Sequence, residues 1–266
     1  MSHPITKSPE PLGVFAKQNL HGQIAEYLGT KIVRGEHVAG EILPTEASLG
    51  ASLGVSRTAI REAIKVLSSK GLVEVRRKTG SRVRSQRDWN ALDPDVIAWQ
   101  FSGDEIPMVA INDLTELRRI IEPACARLAA KLTTAEELDE IEKAFIEMEQ
   151  AAGRTEASVE ADLKFHLAIL EATHNSFMRP FGALIQAALR ASFRLTNADT
   201  AAYRLSLTKH RAVLTSIRNG KPEEAGIAMQ AVLRGSQRDI EHALRPPSSS
   251  PTSRQQKKKS NGRKKP

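Results

Sequence analysis

Residues 44–83 read PTEASLGASLGVSRTAIREAIKVLSSKGLVEVRRKTGSRV, and this stretch decides the fold. Thr45 is placed to cap a short helix, Glu46–Leu53, with Glu46 in the first turn, where an acid suits the helix dipole. Gly54 breaks that helix. Ser56 caps a second helix, Arg57–Lys70, whose apolar side carries Ile60, Ile64, Val66 and Leu67. Two short helices joined by a tight glycine turn make a helix-turn-helix. Leu72, Val73 and Val75, then Val83, predict two short strands with Lys78-Thr79-Gly80 at the turn, a β-hairpin wing. Upstream, Leu20, Ile24, Leu28 and Ile32 recur at helical spacing until Gly35, and a turn follows through Gly40 and Pro44.

Arg57, Thr58 and Arg61 fall at positions i, i+1 and i+4 near the start of the second helix, on the side opposite its apolar residues. That end of a recognition helix reaches base edges in the major groove, where an arginine donates two parallel bonds to guanine. Ser56 and Thr58 are short donors suited to phosphate or base edges. The expected DNA-facing set is Thr45, Ser56, Arg57, Thr58, Arg61, Arg77, Lys78, Thr79 and Gly80. The plainer reading, solvated surface arginines, is opposed by the second basic element in the wing, Arg76-Arg77-Lys78.

Charge is distributed in keeping with this. The net +8 divides into +6 over residues 1–90, −5 over 91–245 and +7 over 246–266. A basic N-terminal third on an acidic remainder suits a nucleic-acid module fused to something else. No apolar run reaches the length of a membrane span, and the N-terminus lacks an apolar signal core. A single cysteine, Cys125, excludes an internal disulfide and a cysteine-built zinc site. These features predict a protein of a reducing cytoplasm. Aromatics at 4% argue against stacking on single strands.

The expected division is a flexible arm over 1–17, a winged helix-turn-helix over 18–87, an all-helical domain over 88–245 and a disordered basic tail over 246–266. Helices are expected near 93–102, 107–131, 134–152, 155–173, 176–196, 201–219 and 221–244. The fold class is therefore mainly α, with one small hairpin.

The stretch 44–83, in the register of cap, glycine turn, Ser-Arg-Thr, Arg-Glu-Ala, Lys-Gly-Leu and wing, resembles the winged helix-turn-helix of GntR-type bacterial transcription regulators. The helical remainder resembles the FCD effector domain of the FadR subfamily. It does so through ELRRIIEPACARLAA (116–130), ADLKFHLAILEATHN (161–175) and KHRAVLTSIRNGKPEEA (209–225). With LDPDVIAWQ (92–100), these look most similar to repressors of galactonate and related sugar-acid operons. The resemblance implies a bacterial, nucleoid-associated homodimer on a palindromic operator, released by a small carboxylate or sugar acid. Ala47 departs from the pattern: members often carry a DNA-contacting arginine there.

Asp162 and His166 lie four apart on one helix face, and His210 lies on a later helix. Such side chains converging in a bundle suit a divalent metal. The resemblance implies an aspartate and three histidines, but the third histidine position holds Val232. The three that remain leave three readings open: zinc, nickel or manganese binding, direct hydrogen bonds to a hydroxylated ligand, or a self-satisfying core pair. The resemblance implies that Arg118, four residues before Glu122, faces the pocket as a carboxylate fork, against the alternative of a surface pair with Glu122. Arg190 and Asn197 are weaker candidates for effector contacts. Cys125, among Ile121, Leu128 and Ala129, reads as a buried small hydrophobe. Two other functions compete. A metal-dependent enzyme could use the Asp162/His166/His210 cluster, but no second acid–base pair, nucleophile signature or phosphate loop accompanies it. A nonspecific nucleic-acid binder could act through the tail, which supplies phosphate affinity without sequence readout.

Overall fold

A computed structural model describes residues 19–76, 79–102, 107–151, 156–196 and 200–243. The predicted arm, the wing-tip residues Arg77 and Lys78, Asn197 and the lysine tail lie outside the described residues.

Among the described residues three helices come first: α1 (Leu20–Val33), α2 (Glu46–Leu53) and α3 (Arg57–Ser69). Both expected caps form: Thr45 Oγ1 accepts from Ser48 N–H at 3.2 Å and Ser56 Oγ from Ala59 N–H at 3.1 Å. Each satisfies a backbone donor the helix cannot, for about 1 kcal/mol. Gly54 closes α2 in the left-handed region, φ 67°. Ile60, Ala63, Ile64 and Leu67 of α3 are buried against α1; Val66 is only half-buried. Strands β1 (Val73–Arg76) and β2 (Gly80–Val83) pair antiparallel, Val73 opposite Val83 and Arg76 opposite Gly80. Residues 41–43, expected only as a turn, run along the other edge of β2: Ile42 bridges Arg82, and Leu43 N–H donates to Ser81 O at 2.8 Å. The pairing covers a strand edge that would otherwise be open, and Leu43 is buried beneath it.

Seven further helices follow among the described residues: α4 (Pro94–Gln100), α5 (Met108–Leu132), α6 (Ala135–Gln150), α7 (Glu156–Glu171), α8 (Phe181–Leu195), α9 (Thr200–Arg218) and α10 (Pro222–Ala243). The helix expected from residue 176 begins at Phe181. Pro180 occupies its N-cap, and a 3-10 turn capped by Asn175 covers Ser176–Met178. Thr134 and Glu137 form a capping box at the start of α6. The main core gathers α5–α10, including Phe165, Ile141, Met148, Ile217 and Met229, with α10 packed on α5 and α9.

The placement of α4 differs from the expected boundary after residue 87. Val96 and Trp99, three apart, pack into the core of the winged helix, whereas Ile97 and Phe101 pack against α8 in a separate cluster. The Lys70 ammonium, just past α3, reaches Asp93 Oδ1 and Asp95 Oδ2, each at 2.7 Å, beside the Trp99 ring. A seven-residue helix with two apolar faces thus belongs to both halves. Among the described residues no helix is long and apolar enough to cross a membrane.

Candidate functional site

The first candidate surface is the exposed start of α3. Thr45, Ser56, Arg57, Thr58, Arg61, Thr79 and Gly80 are all exposed. Arg61 is held in place by an acid: its Nε and Nη2 donate side-on to the Glu46 carboxylate, Nη2 at 2.9 Å. The side-on pair leaves the end-on edge, Nη1 and Nη2, for a bidentate acceptor. Glu46 had been read only as a first-turn acid; its link to Arg61, fifteen residues on, follows from the crossing of α2 and α3.

The second surface is a cavity among α5, α7, α8, α9 and α10, holding about 850 Å³ of space, counting its open mouth. Asp162, His166, His210 and Arg118 all line it. The three ligand-type atoms converge: Asp162 Oδ1 lies 3.1 Å from His210 Nε2 and 3.3 Å from His166 Nε2, and the two Nε2 atoms are 3.4 Å apart. Asp162 Oδ1 is buried with no hydrogen bond of good geometry.

Behind these atoms stands a second layer. His210 Nδ1–H donates to Ser206 O at 2.8 Å, which turns the Nε2 lone pair to the cavity. His166 Nδ1 lies 2.5 Å from Glu122 Oε2, and Arg118 Nε donates to Glu122 Oε1 at 2.5 Å. Arg118 and Glu122 are 6% and 3% exposed, so theirs is a buried pair and not a surface one. Burial alone would raise the Glu122 carboxyl, but Arg118 and His166 outweigh it and hold it at about 2. Burial opposes the charged imidazole of His166, yet Glu122 and Asp162 carry it up to about 9. Asp162 likewise feels burial first, and the two imidazoles keep it well below the carboxylate range.

One sequence candidate for effector contact falls elsewhere. Arg190 is exposed, paired with Glu160 at 2.8 Å, and does not line the cavity. It faces outward because the inner face of α8 is taken by Leu189 and Ser192. Asn197 is outside the described residues. Sequence reading passed over Tyr203, Ser206, Lys209, Ser236 and Asp239, which also line the cavity. Helical spacing was the available signal: Tyr203 and Ser206 precede His210 by seven and four, and Ser236 and Asp239 follow Val232 by four and seven. Tyr203 donates to Met148 O at 2.6 Å, and burial, then Asp162, pushes its phenol up to about 12. Cys125 is buried, and burial with Glu122 nearby raises its thiol to about 11, an inert state.

The donor set fits a divalent cation. Bonds of about 2.0–2.1 Å at tetrahedral angles separate ligand atoms by about 3.3–3.4 Å, close to the distances here. Each histidine presents Nε2 to the cluster; Nδ1 of His210 is hydrogen-bonded to Ser206 O and Nδ1 of His166 lies beside the Glu122 carboxylate, an arrangement of the kind that orients metal-ligating imidazoles.

Comparison with known proteins agrees with this organisation. Residues 20–83 match the model "Bacterial regulatory proteins, gntR family", and residues 113–235 match the FCD domain. The galactonate operon transcriptional repressor of Escherichia coli is 35% identical over 223 residues, 84% of this chain and 97% of that protein.

The chain belongs to the GntR family.

A second relative, the uncharacterized HTH-type transcriptional regulator YieP of Escherichia coli, is also 35% identical and covers 82% of this chain and 94% of its own. The repressor NanR of Cronobacter sakazakii is 30% identical over 224 residues, 82% of this chain and 84% of that one. Among solved structures, Lar of Listeria monocytogenes aligns with TM-score 0.60 at 19% identity over 86% of this chain and 99% of its own, a likeness of fold. As a GntR member with an FCD domain, the chain is a DNA-binding transcription regulator.

Proposed function

We propose that the protein is a homodimeric repressor of a sugar-acid catabolic operon, released from a palindromic operator when an aldonate or related small carboxylate enters the helical cavity. The observation that carries this reading is the convergence of Arg118 with Asp162, His166 and His210 on one cavity, behind a winged helix whose arginines are exposed. The galactonate repressor, 35% identical, supports the acid class. A divalent cation held by Asp162, His166 and His210 would supply a Lewis-acid anchor for a carboxylate or hydroxyl oxygen. Arg118 faces the carboxylate; Ser206, Ser236 and Tyr203 face the hydroxyls. The family is one of regulators, and the cluster is read as binding and not as turnover.

The route from cavity to DNA runs through α8 and α4. Leu189, Ser192 and Phe193 of α8 line the cavity, and Arg194 Nη1 donates to Phe101 O at 2.9 Å, just past α4. The Lys70–Asp93 pair then ties α4 to the end of α3. A ligand that shifts α8 moves the recognition helix and so changes half-site spacing. By linkage the operator weakens ligand binding by the same factor, on the order of 1–3 kcal/mol.

The test is calorimetric titration of galactonate and gluconate, paired with operator binding at saturating acid. Acid binding that leaves operator affinity unchanged would end the induction reading. Arg57→Ala and Arg61→Ala are each expected to cost about 1–3 kcal/mol of operator binding and to relax preference at one base pair. Retention of full specific affinity by both would move the readout off α3. Deleting residues 247–266 should weaken operator and random DNA together and flatten the salt dependence. A selective loss of operator preference in that deletion would contradict a purely electrostatic tail.

A further inference from the structure

One cation in the cavity has no role in the mechanism above. Lys209 precedes His210 on α9, lines the cavity and is half-buried. It forms no hydrogen bond or ion pair among the described residues, although Asp239 lines the same space. Its ammonium crosses α10 at Gly235, where an added methyl would overlap Nζ. The next residue, Ser236, lines both this cavity and the smaller one that shares Arg118 with it. Arg118 engages Glu122 through Nε alone, so its terminal nitrogens make no hydrogen bond among the described residues. Two cations with unused donors therefore flank the Gly235–Ser236 step, while the Asp162/His166/His210 cluster lies by Val232 further along the same face of α10.

We infer that Lys209 is a second carboxylate-binding cation for the effector, and that Gly235 is what lets its ammonium reach the cavity. The inference rests on the acid-sensing reading above and deepens it. The acid head sits between Arg118 and Lys209 over Gly235–Ser236, and the hydroxylated chain extends toward the Asp162/His166/His210 cluster. A fork and a point charge together select an acid over the alditol of equal length. They do so because a neutral end group would leave the ammonium and the terminal guanidinium nitrogens desolvated without an anionic acceptor.

Calorimetry of the full chain with galactonate and gluconate tests this on Lys209→Met, Gly235→Ala and the double variant. Methionine keeps the stem and removes the charge; alanine is the better helix former and needs only that the ammonium move aside. Each single variant is expected to bind the acid about tenfold more weakly, as a removed charge-assisted bond predicts. The double variant should be no weaker than the worse single one, because both changes remove one contact. Melting midpoints report that each variant is folded. Acid affinity in Lys209→Met within twofold of the unaltered protein overturns the inference alone. Additive losses overturn the role of Gly235. A protein that binds neither acid overturns both this inference and the acid-sensing reading, whereas acid binding without an effect on the operator overturns only the latter.

Discussion

Arg118→Met is expected to lower the melting midpoint by about 10 °C, well beyond what a pocket residue on a solvated wall would do. The reason is Glu122. Its carboxylate is 3% exposed and is balanced by Arg118 on one oxygen and His166 on the other. Removing the arginine leaves a buried charge half compensated, a loss of about 3–5 kcal/mol. The depressed carboxyl gives a figure of the same order, since a fall from 4.5 to about 2 corresponds to roughly 3 kcal/mol. The sign follows from the direction: this contribution is present above pH 4.5 and is lost as the pH falls through 2. Calorimetric melting of Arg118→Met beside Arg118→Met/Glu122→Met checks it. The double variant should recover most of the loss, because two apolar groups of similar volume replace a closed ion pair. A single variant melting within a degree or two of the parent would show that the pair does not stabilise the bundle. Loss of acid binding in an Arg118 variant alone therefore cannot separate ligand contact from packing.

Val232→His is expected to tighten nickel or zinc binding by at least about 100-fold, the scale on which supporting groups alone change metal affinity being about 10–100-fold. Val232 is 6% exposed and lines the cavity with Asp162, His166 and His210. A histidine there supplies the fourth protein ligand and closes a site that the unaltered chain leaves with exchangeable positions. Competition against a chelator measures the change. Equal affinity in both proteins would mean that position 232 does not face the three ligand atoms, and that the cluster is not a metal centre. The unaltered chain, with three candidate ligands, should give up added metal readily to the same chelator.

What the sequence makes legible here is local. Thr45 and Ser56 are caps with their partners three residues away, and the 3.6-residue period of Ile60 and Ile64 needs no other part of the chain. Asp162 and His166 are four apart, so one helix suffices to pair them. Glu122 was visible only as the neighbour of Arg118, since its second oxygen meets His166, forty-four residues further on. Nothing local marks Lys209, because the glycine that admits it stands on another helix. The edge pairing of residues 41–43 and the two faces of α4 were missed for the same reason. A seven-residue helix carries too few positions for its periodicity to reveal two partners.

The position of α4 bears on how regulators of this kind can be recombined. A sensor exchanged at residue 87, where sequence alone would place the joint, arrives with a foreign α4. The Trp99 side chain that fills the winged-helix core against Gly29 then comes from one parent, and the surface it must match from the other. A chimera spliced after residue 102 keeps that packing but asks Ile97 and Phe101 to dock on an unfamiliar α8. Neither splice is neutral, so sensors and readers joined through such a helix are expected to travel between genes as matched sets.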